Sequence, residues 1–366
     1  MNEMAWNILW HQAIIHSRYI GLMEKKGQTV TFDVPVRVDG TAVRILMKNG
    51  MKKPAHVKMA VWYDGIIYPV TQSGRSDLLV ESNTMTDRIP IPLRKGTSLT
   101  VRIFCEEKYR DGNLIEEDAL IYEGDAVNDP QPVQVKKKKI EKNMIYPVIP
   151  LIRQIEIESE RTQDTIVAFG DSITAMSRWT KPLAERLFEA FGDEVVLVNS
   201  GISGSCLGRE SGRIWDGFFG EKATTRYERD VLELPNVRTV ILAFGINDIA
   251  DMTKKNPDWN VVALITETKK LIGIFHEHGI RVIGWTLGPR KGYPGWSEAQ
   301  ESSRQIYNEW VRKEPAFDAI VDPELLLLEE GTRDTYKEGL HQGDFLHPNA
   351  EGGKVIADCF DLNSLR

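Results

Sequence analysis

Thr165-Ile-Val-Ala-Phe-Gly-Asp-Ser-Ile-Thr174 decides how the rest of the chain reads. Its first five residues are apolar or β-branched with no polar alternation, as a parallel strand covered on both faces requires. Glycine then ends the run, and Asp171-Ser172 stand where a strand gives way to a helix. A serine at such a junction exposes its hydroxyl, and its backbone N–H is among the unpaired donors of a helix start. Taken alone, Ser172 reads equally well as a helix cap and as a nucleophile.

The same grammar continues to the C-terminus. Val195-Val-Leu-Val198, Val240-Ile-Leu-Ala-Phe244, Val282-Ile-Gly-Trp285 and Ala319-Ile-Val321 read as four more short buried strands. Amphipathic stretches at about 178–191, 223–234, 258–278, 297–313 and 350–360 separate or follow them. Strands alternating with helices predict a three-layer α/β domain around a five-stranded parallel sheet. In such sheets ligands sit at the carboxyl ends of the strands. Three segments fall at those ends: the one holding Ser172, Asn199-Ser-Gly-Ile-Ser-Gly204, and Gly245-Ile-Asn-Asp248. A fourth, Asp344-Phe-Leu-His347-Pro-Asn349, precedes the last helix.

These segments hold the parts needed for acyl transfer. Glycine lets backbone N–H groups approach a developing oxyanion, and the Asn247 amide can donate to it. Spacing of three residues lets one turn present both the Asp344 carboxylate and the His347 imidazole. Each piece has a plainer reading: Asn-Asp as a turn, Asp-x-x-His as a structural pair or half of a metal site. No His-Glu-x-x-His and no Cys/His cluster completes a metal shell, so no metal and no cofactor is expected. What favours chemistry is the conjunction of four segments, in order, at the places where such a sheet carries its site.

Upstream, residues from about 28 to 125 alternate apolar and polar, as in Val30, Phe32, Val34, Val36 and again in Val57, Met59, Val61, Tyr63. Asp64-Gly65 marks a hairpin, and Ile89-Pro-Ile-Pro-Leu93 can only be an edge strand or a loop. An all-β antiparallel sandwich is expected over 1–125, a Pro-rich and lysine-bearing linker over 126–162, and the α/β domain over 163–366.

The 366 residues carry 46 Lys and Arg against 53 Asp and Glu, a net charge of −7. That balance gives no reason to expect nucleic acid or an anionic membrane as partner. Residues 1–20 lack the basic start and continuous apolar core of a signal peptide, and no run approaches a membrane span. Three scattered cysteines, Cys105, Cys206 and Cys359, argue against a disulfide framework. A cytoplasmic protein is the expectation, with oligomeric state left open.

Gly-Asp-Ser-Ile-Thr, Asn-x-Gly-Ile-Ser-Gly, Gly-Ile-Asn-Asp and Asp-x-x-His-Pro-Asn resemble conserved blocks I, II, III and V of the SGNH (GDSL) hydrolases. The likeness runs over about 165–366 and takes in Arg226-Tyr-Glu-Arg-Asp-Val-Leu232 and Thr286-Leu-Gly-Pro289. It implies a flavodoxin-like catalytic domain, and the upstream strands resemble the jelly-roll-like β-domain of a two-domain subgroup. It implies Ser172 as nucleophile, His347 as general base and then acid, and Asp344 as the group orienting the imidazole. It also implies the oxyanion donors: the backbone N–H of Ser172 and of Gly204, and the Asn247 side chain. Gly204 rather than Gly201 matches the block II glycine because it closes the Ile-Ser-Gly triplet.

One departure is the short Ala175-Met-Ser177 link between Thr174 and Arg178-Trp179, which leaves the shape of the pocket open. The implied substrates are carboxylic esters of small molecules or oligosaccharides. A β-domain beside the catalytic one leans towards sugar deacetylation. A lysophospholipase or thioesterase on the same machinery, and a non-catalytic glycan-binding protein, are the alternatives. Cys206 reads as a small buried hydrophobe, and His341 as a loop or substrate-side residue. The Gly292-Tyr-Pro-Gly-Trp296 loop reads as a sugar-stacking surface or as lid packing.

Overall fold

A computed structural model describes residues 4–16, 27–107, 109–114, 119–135, 148–210, 220–252 and 258–366. The chain divides into two compact units between Gln163 and Asp164.

In the first unit the paired strands are antiparallel. One sheet runs β1 (Ala5–His11), β14 (Ile152–Ser159), β4 (Gly40–Lys48) and β8 (Asn83–Met85), with β9 (Ile89–Leu93) also on β4. A second runs β12 (Leu120–Glu123), β3 (Gln28–Pro35), β10 (Ser98–Cys105), β5 (Ala55–Tyr63) and β6 (Ile66–Pro69), with β7 (Leu78–Val80) on β5. A small third sheet joins β13 (Val148–Pro150), β11 (Asp111–Leu114) and β2 (Ile15–His16). Alternation puts Val43, Ile45 and Met47 of β4 and Val57 and Val61 of β5 at full burial. Trp10 of β1 meets Phe32 of β3 with ring centroids 5.3 Å apart, which joins the two larger sheets. Asp64 and Gly65, at φ 50° and 75°, close the β5–β6 hairpin, whose turn needs positive φ at both central residues.

The structure corrects the expectation of a linker over 126–162. Residues 148–150 and 152–159 are strands, and β14 lies inside its sheet between β1 and β4. Charges disguised β14. Glu156 accepts from Arg44 Nε at 2.5 Å, and Glu158 takes Arg88 and the Thr41 hydroxyl, so its polar positions have partners on or beside β4. β1 and β2 also lie upstream of where the alternation becomes clear. The lysine run 136–139 falls outside the described residues.

The second unit is the expected α/β domain. Its parallel sheet has the order β16 (Val195–Gly201), β15 (Asp164–Gly170), β17 (Val237–Ala243), β18 (Arg281–Trp285), β19 (Ala319–Val321). That order reverses at β15, so the crevice beyond the carboxyl ends of β15 and β17 is a topological switch point. The helices are α1 (Ser172–Ala175), α2 (Thr180–Phe191), α3 (Ala223–Tyr227), α4 (Ile246–Ala250), α5 (Val261–Glu277), α6 (Glu298–Lys313), α7 (Pro323–Leu327) and α8 (Ala350–Asp358). The longer ones fall where the amphipathic stretches predicted them. Among the described residues no helix is long and apolar enough to cross a membrane.

Candidate active site

β15 delivers Ser172 to the switch point. Asp171 caps α1 by accepting the Ile173 N–H at 3.0 Å, so the capping role falls to the aspartate and the serine hydroxyl is left free. Ser172 Oγ lies 2.8 Å from His347 Nε2, and His347 Nδ1 lies 2.6 Å from Asp344 Oδ2. A carboxylate at Nδ1 fixes the proton there and leaves Nε2 to accept from the serine. The turn holding the pair is tight. Asp344 Oδ1 accepts the N–H groups of Leu346 and His347 at 3.1 and 3.0 Å, and Gln342 Nε2 donates to Oδ2 at 3.1 Å. Partial burial opposes ionisation of Asp344. The His347 ring and backbone bonds, with Gln342, outweigh it and hold the carboxyl well below the usual carboxylate range.

The other strand ends converge on the same place. Gly204 turns the chain after β16 at φ 73°, a left-handed conformation that glycine adopts without strain. Asn247, on the first turn of α4, donates its amide to Ser205 O at 3.2 Å. An amide nitrogen carries two N–H groups, so one remains for another acceptor. Asp248 ties the two loops together, accepting Leu207 N–H at 2.8 Å and Gly208 N–H at 3.3 Å. Burial pushes the Asp248 carboxyl up to about 7, against the pull of those two amides. Asp171 is also pushed up to about 7, by burial first, with the neighbouring Asp248 charge adding to it.

Beneath the loops lies an ion network whose residues the sequence offered only as part of a resemblance, with no role attached. Arg226 is fully buried and donates to Gly170 O, Ser200 O and Asp230 Oδ2, each at 2.9 Å. Its guanidinium lies 4.5 Å from the Phe169 ring centre. One side chain therefore clamps the carboxyl ends of β15 and β16, directly under the serine. Asn199 does similar work for the short link after Thr174. Its amide donates to Thr174 O and Ser177 Oγ at 2.8 and 2.9 Å, so this block II residue holds the loop.

A small apolar void is lined by Ile173, Ile246, Leu346 and Pro348, which are sequence neighbours of Ser172, Asn247 and His347. Trp285, Leu327 and Ile356, all buried, line it too. The structure thus brings Ser172, His347 and Asp344 into one hydrogen-bonded line. Gly204 and Asn247 stand on the adjoining loops, linked through Ser205 and Asp248. Cys206 is buried with its thiol directed at Asp251 Oδ2, 3.9 Å away, and none of the three cysteines is in a disulfide.

A parallel sheet of this order, with Ser172, His347 and Asp344 hydrogen-bonded at its switch point, defines a hydrolase of α/β fold. The chain belongs to the GDSL-like lipase/acylhydrolase family, whose model matches residues 168–355, and it is a carboxylic ester hydrolase. No protein of curated function matches it. Among solved structures, a GDSL-like lipase from Bacteroides thetaiotaomicron is 18% identical, over 55% of this chain and 87% of its own, with a TM-score of 0.41. An acetylxylan esterase from Geobacillus stearothermophilus is 18% identical, over 55% of this chain and 94% of its own, with a TM-score of 0.42.

Proposed function

We propose that this hydrolase removes short acyl groups, acetyl first among them, from carbohydrate esters by a two-step serine mechanism. Ser172 attacks the ester carbonyl while His347 Nε2 takes its proton. Asp344 keeps the imidazole in the required tautomer and stabilises the imidazolium that forms. The backbone N–H of Ser172, the backbone N–H of Gly204 and the second N–H of Asn247 receive the oxyanion. His347 then protonates the leaving alcohol, and water enters to release the acid by the same steps reversed. The observation that carries this reading is the unbroken line Ser172–His347–Asp344, at 2.8 and 2.6 Å.

Hydrolysis of p-nitrophenyl acetate, butyrate and octanoate by the wild type and by Ser172→Ala tests both parts. The expected result is activity falling with acyl length in the wild type and absent in the folded variant. Activity rising towards octanoate would replace the sugar ester with a lipid or thioester. Activity retained by Ser172→Ala would remove the nucleophile assignment.

A further inference from the structure

Phe345 sits between the two acidic-turn residues that matter most, one position after Asp344 and two before His347, in a left-handed conformation at φ 62°. Bulky side chains rarely adopt that conformation, and a glycine would make the same turn without strain. Burial gives only part of the reason for a phenylalanine there, since the residue remains 39% exposed. Two features nonetheless hold the ring in place. His341 accepts the Gly343 and Phe345 N–H groups through Nδ1, at 3.0 and 3.3 Å, and lays its ring against Phe345 with centroids 4.6 Å apart and planes tilted 32°. On another side Gly292 has no side chain where one would collide. A Cβ at that position would lie 2.9 Å from Phe345 Cγ, and its φ of 100° also excludes most residues. Tyr336 continues the aromatic row, 5.3 Å from His341.

A strained, partly exposed aromatic ring, held by two supports and two residues along the chain from His347, fits contact with substrate better than it fits packing. We propose that Phe345 is a specificity-determining residue whose ring stacks on the apolar face of the pyranose that carries the ester. This rests on the serine-esterase reading above and assigns a contact to the alcohol half of the substrate. Stacking on an aromatic face suits a sugar ring, which presents a row of C–H groups on one side and hydroxyls at its rim. A p-nitrophenyl ester has a different leaving group and serves as the reference for chemistry alone.

The experiment measures kcat and KM for p-nitrophenyl acetate and for acetylated xylobiose, using full-length wild type, Phe345→Gly, Phe345→Trp and Ser172→Ala, with a Tm for each. Phe345→Gly is expected to raise KM for the sugar ester roughly three- to tenfold, the range an aromatic contact supplies. Its kcat on both esters should stay within about threefold of wild type, and its Tm should not fall, because glycine relieves the left-handed strain. Phe345→Trp should restore most of the sugar-ester KM. The proposal is overturned if Phe345→Gly leaves that KM unchanged. It is equally overturned if the variant loses Tm and kcat alike on both esters, which would make the ring a packing element of the loop. A wild type that cleaves p-nitrophenyl acetate but not the sugar ester also overturns it, while leaving Ser172 as nucleophile. Activity surviving in Ser172→Ala would instead bring down the underlying mechanism.

Discussion

Replacing Arg226 by methionine removes a buried cation from beneath the Ser172 loop, and the structure sets the size of the effect. Breaking a buried ion pair from one side commonly costs about 3–5 kcal/mol, because the remaining charge is stranded. Here the stranding is incomplete. Asp230 keeps Arg229, which donates from Nε at 2.8 Å and from a second nitrogen at 3.0 Å, and Gly170 O keeps the Ile202 N–H at 3.0 Å. The loss therefore belongs at the lower end, about 3 kcal/mol. For a unit of this size each kcal/mol moves Tm by roughly 2–4 °C, so a fall of about 6–12 °C is expected.

Acid sensitivity should change as well. Burial opposes ionisation of Asp230, and Arg229 and Arg226 together outweigh it, holding the carboxyl well below its usual range. A depressed carboxyl contributes stability above its unfolded pKa and loses it as pH falls through the folded value. Without Arg226 that loss should begin at higher pH. Urea unfolding at pH 7 and pH 4.5, followed by near-ultraviolet circular dichroism, reads both effects, and p-nitrophenyl acetate turnover reports the position of Ser172. A destabilisation under about 1 kcal/mol, with unchanged turnover, would refute the view that Arg226 clamps the two strand ends.

Two further substitutions probe the loops. Asn247→Ala should lower kcat by about 10²–10³ while costing little stability, because its one observed bond goes to Ser205 O at 3.2 Å; near-normal turnover in the folded variant would discard it as an oxyanion donor. Asp248→Asn should alter the pH profile of Tm. A carboxyl pushed up to about 7 binds its proton more tightly folded than unfolded, so its stabilising contribution is full in acid and fades as pH rises from about 4 to about 7. The variant keeps only one acceptor for Leu207 and Gly208 and starts lower in acid, then gains on the wild type towards pH 8. A constant Tm difference across that range would show that Asp248 does not titrate there.

The catalytic half was legible because its signals are periodic and local. Apolar runs such as Val240–Phe244 have no reading other than a buried element, and the i, i+3 spacing of Asp344 and His347 places both on one turn. β14 was not legible. Its Arg153, Glu156 and Glu158 resemble linker residues until Arg44 and Arg88 are seen beside them, and that pairing spans more than 60 residues of sequence. Arg226 was quoted only as part of a resemblance, since nothing in a sequence distinguishes a buried arginine from a solvated one. Phe345 filled an unspecified place in Asp-x-x-His, and only the backbone shows that the place is left-handed. Sequence reading recovers what depends on neighbours along the chain. It misses polar residues whose partners lie on distant elements.

The groups around Ser172 are unfavourable to the fold in one consistent sense. Phe345 and Ser177 both have positive φ, at 62° and 61°, and the hydroxyl of Thr174 is buried with no partner among the described residues. Asp171 and Asp248 place two buried carboxyls near enough to repel each other. Costs of this kind persist only where surrounding structure over-determines them. The compensation lies one layer below. Arg226 is locked to Gly170, Ser200 and Asp230, and Phe169 meets Phe244 and Phe275 edge-on at 4.9 and 6.4 Å. Substitutions in the two layers should therefore separate by sign. Relaxing the upper layer, as in Phe345→Gly, should spare or raise Tm while weakening substrate binding. Loosening the lower one, as in Arg226→Met, should lower Tm first and turnover as a consequence. If both layers answered with the same sign in Tm, the strain would not be confined to the residues around Ser172.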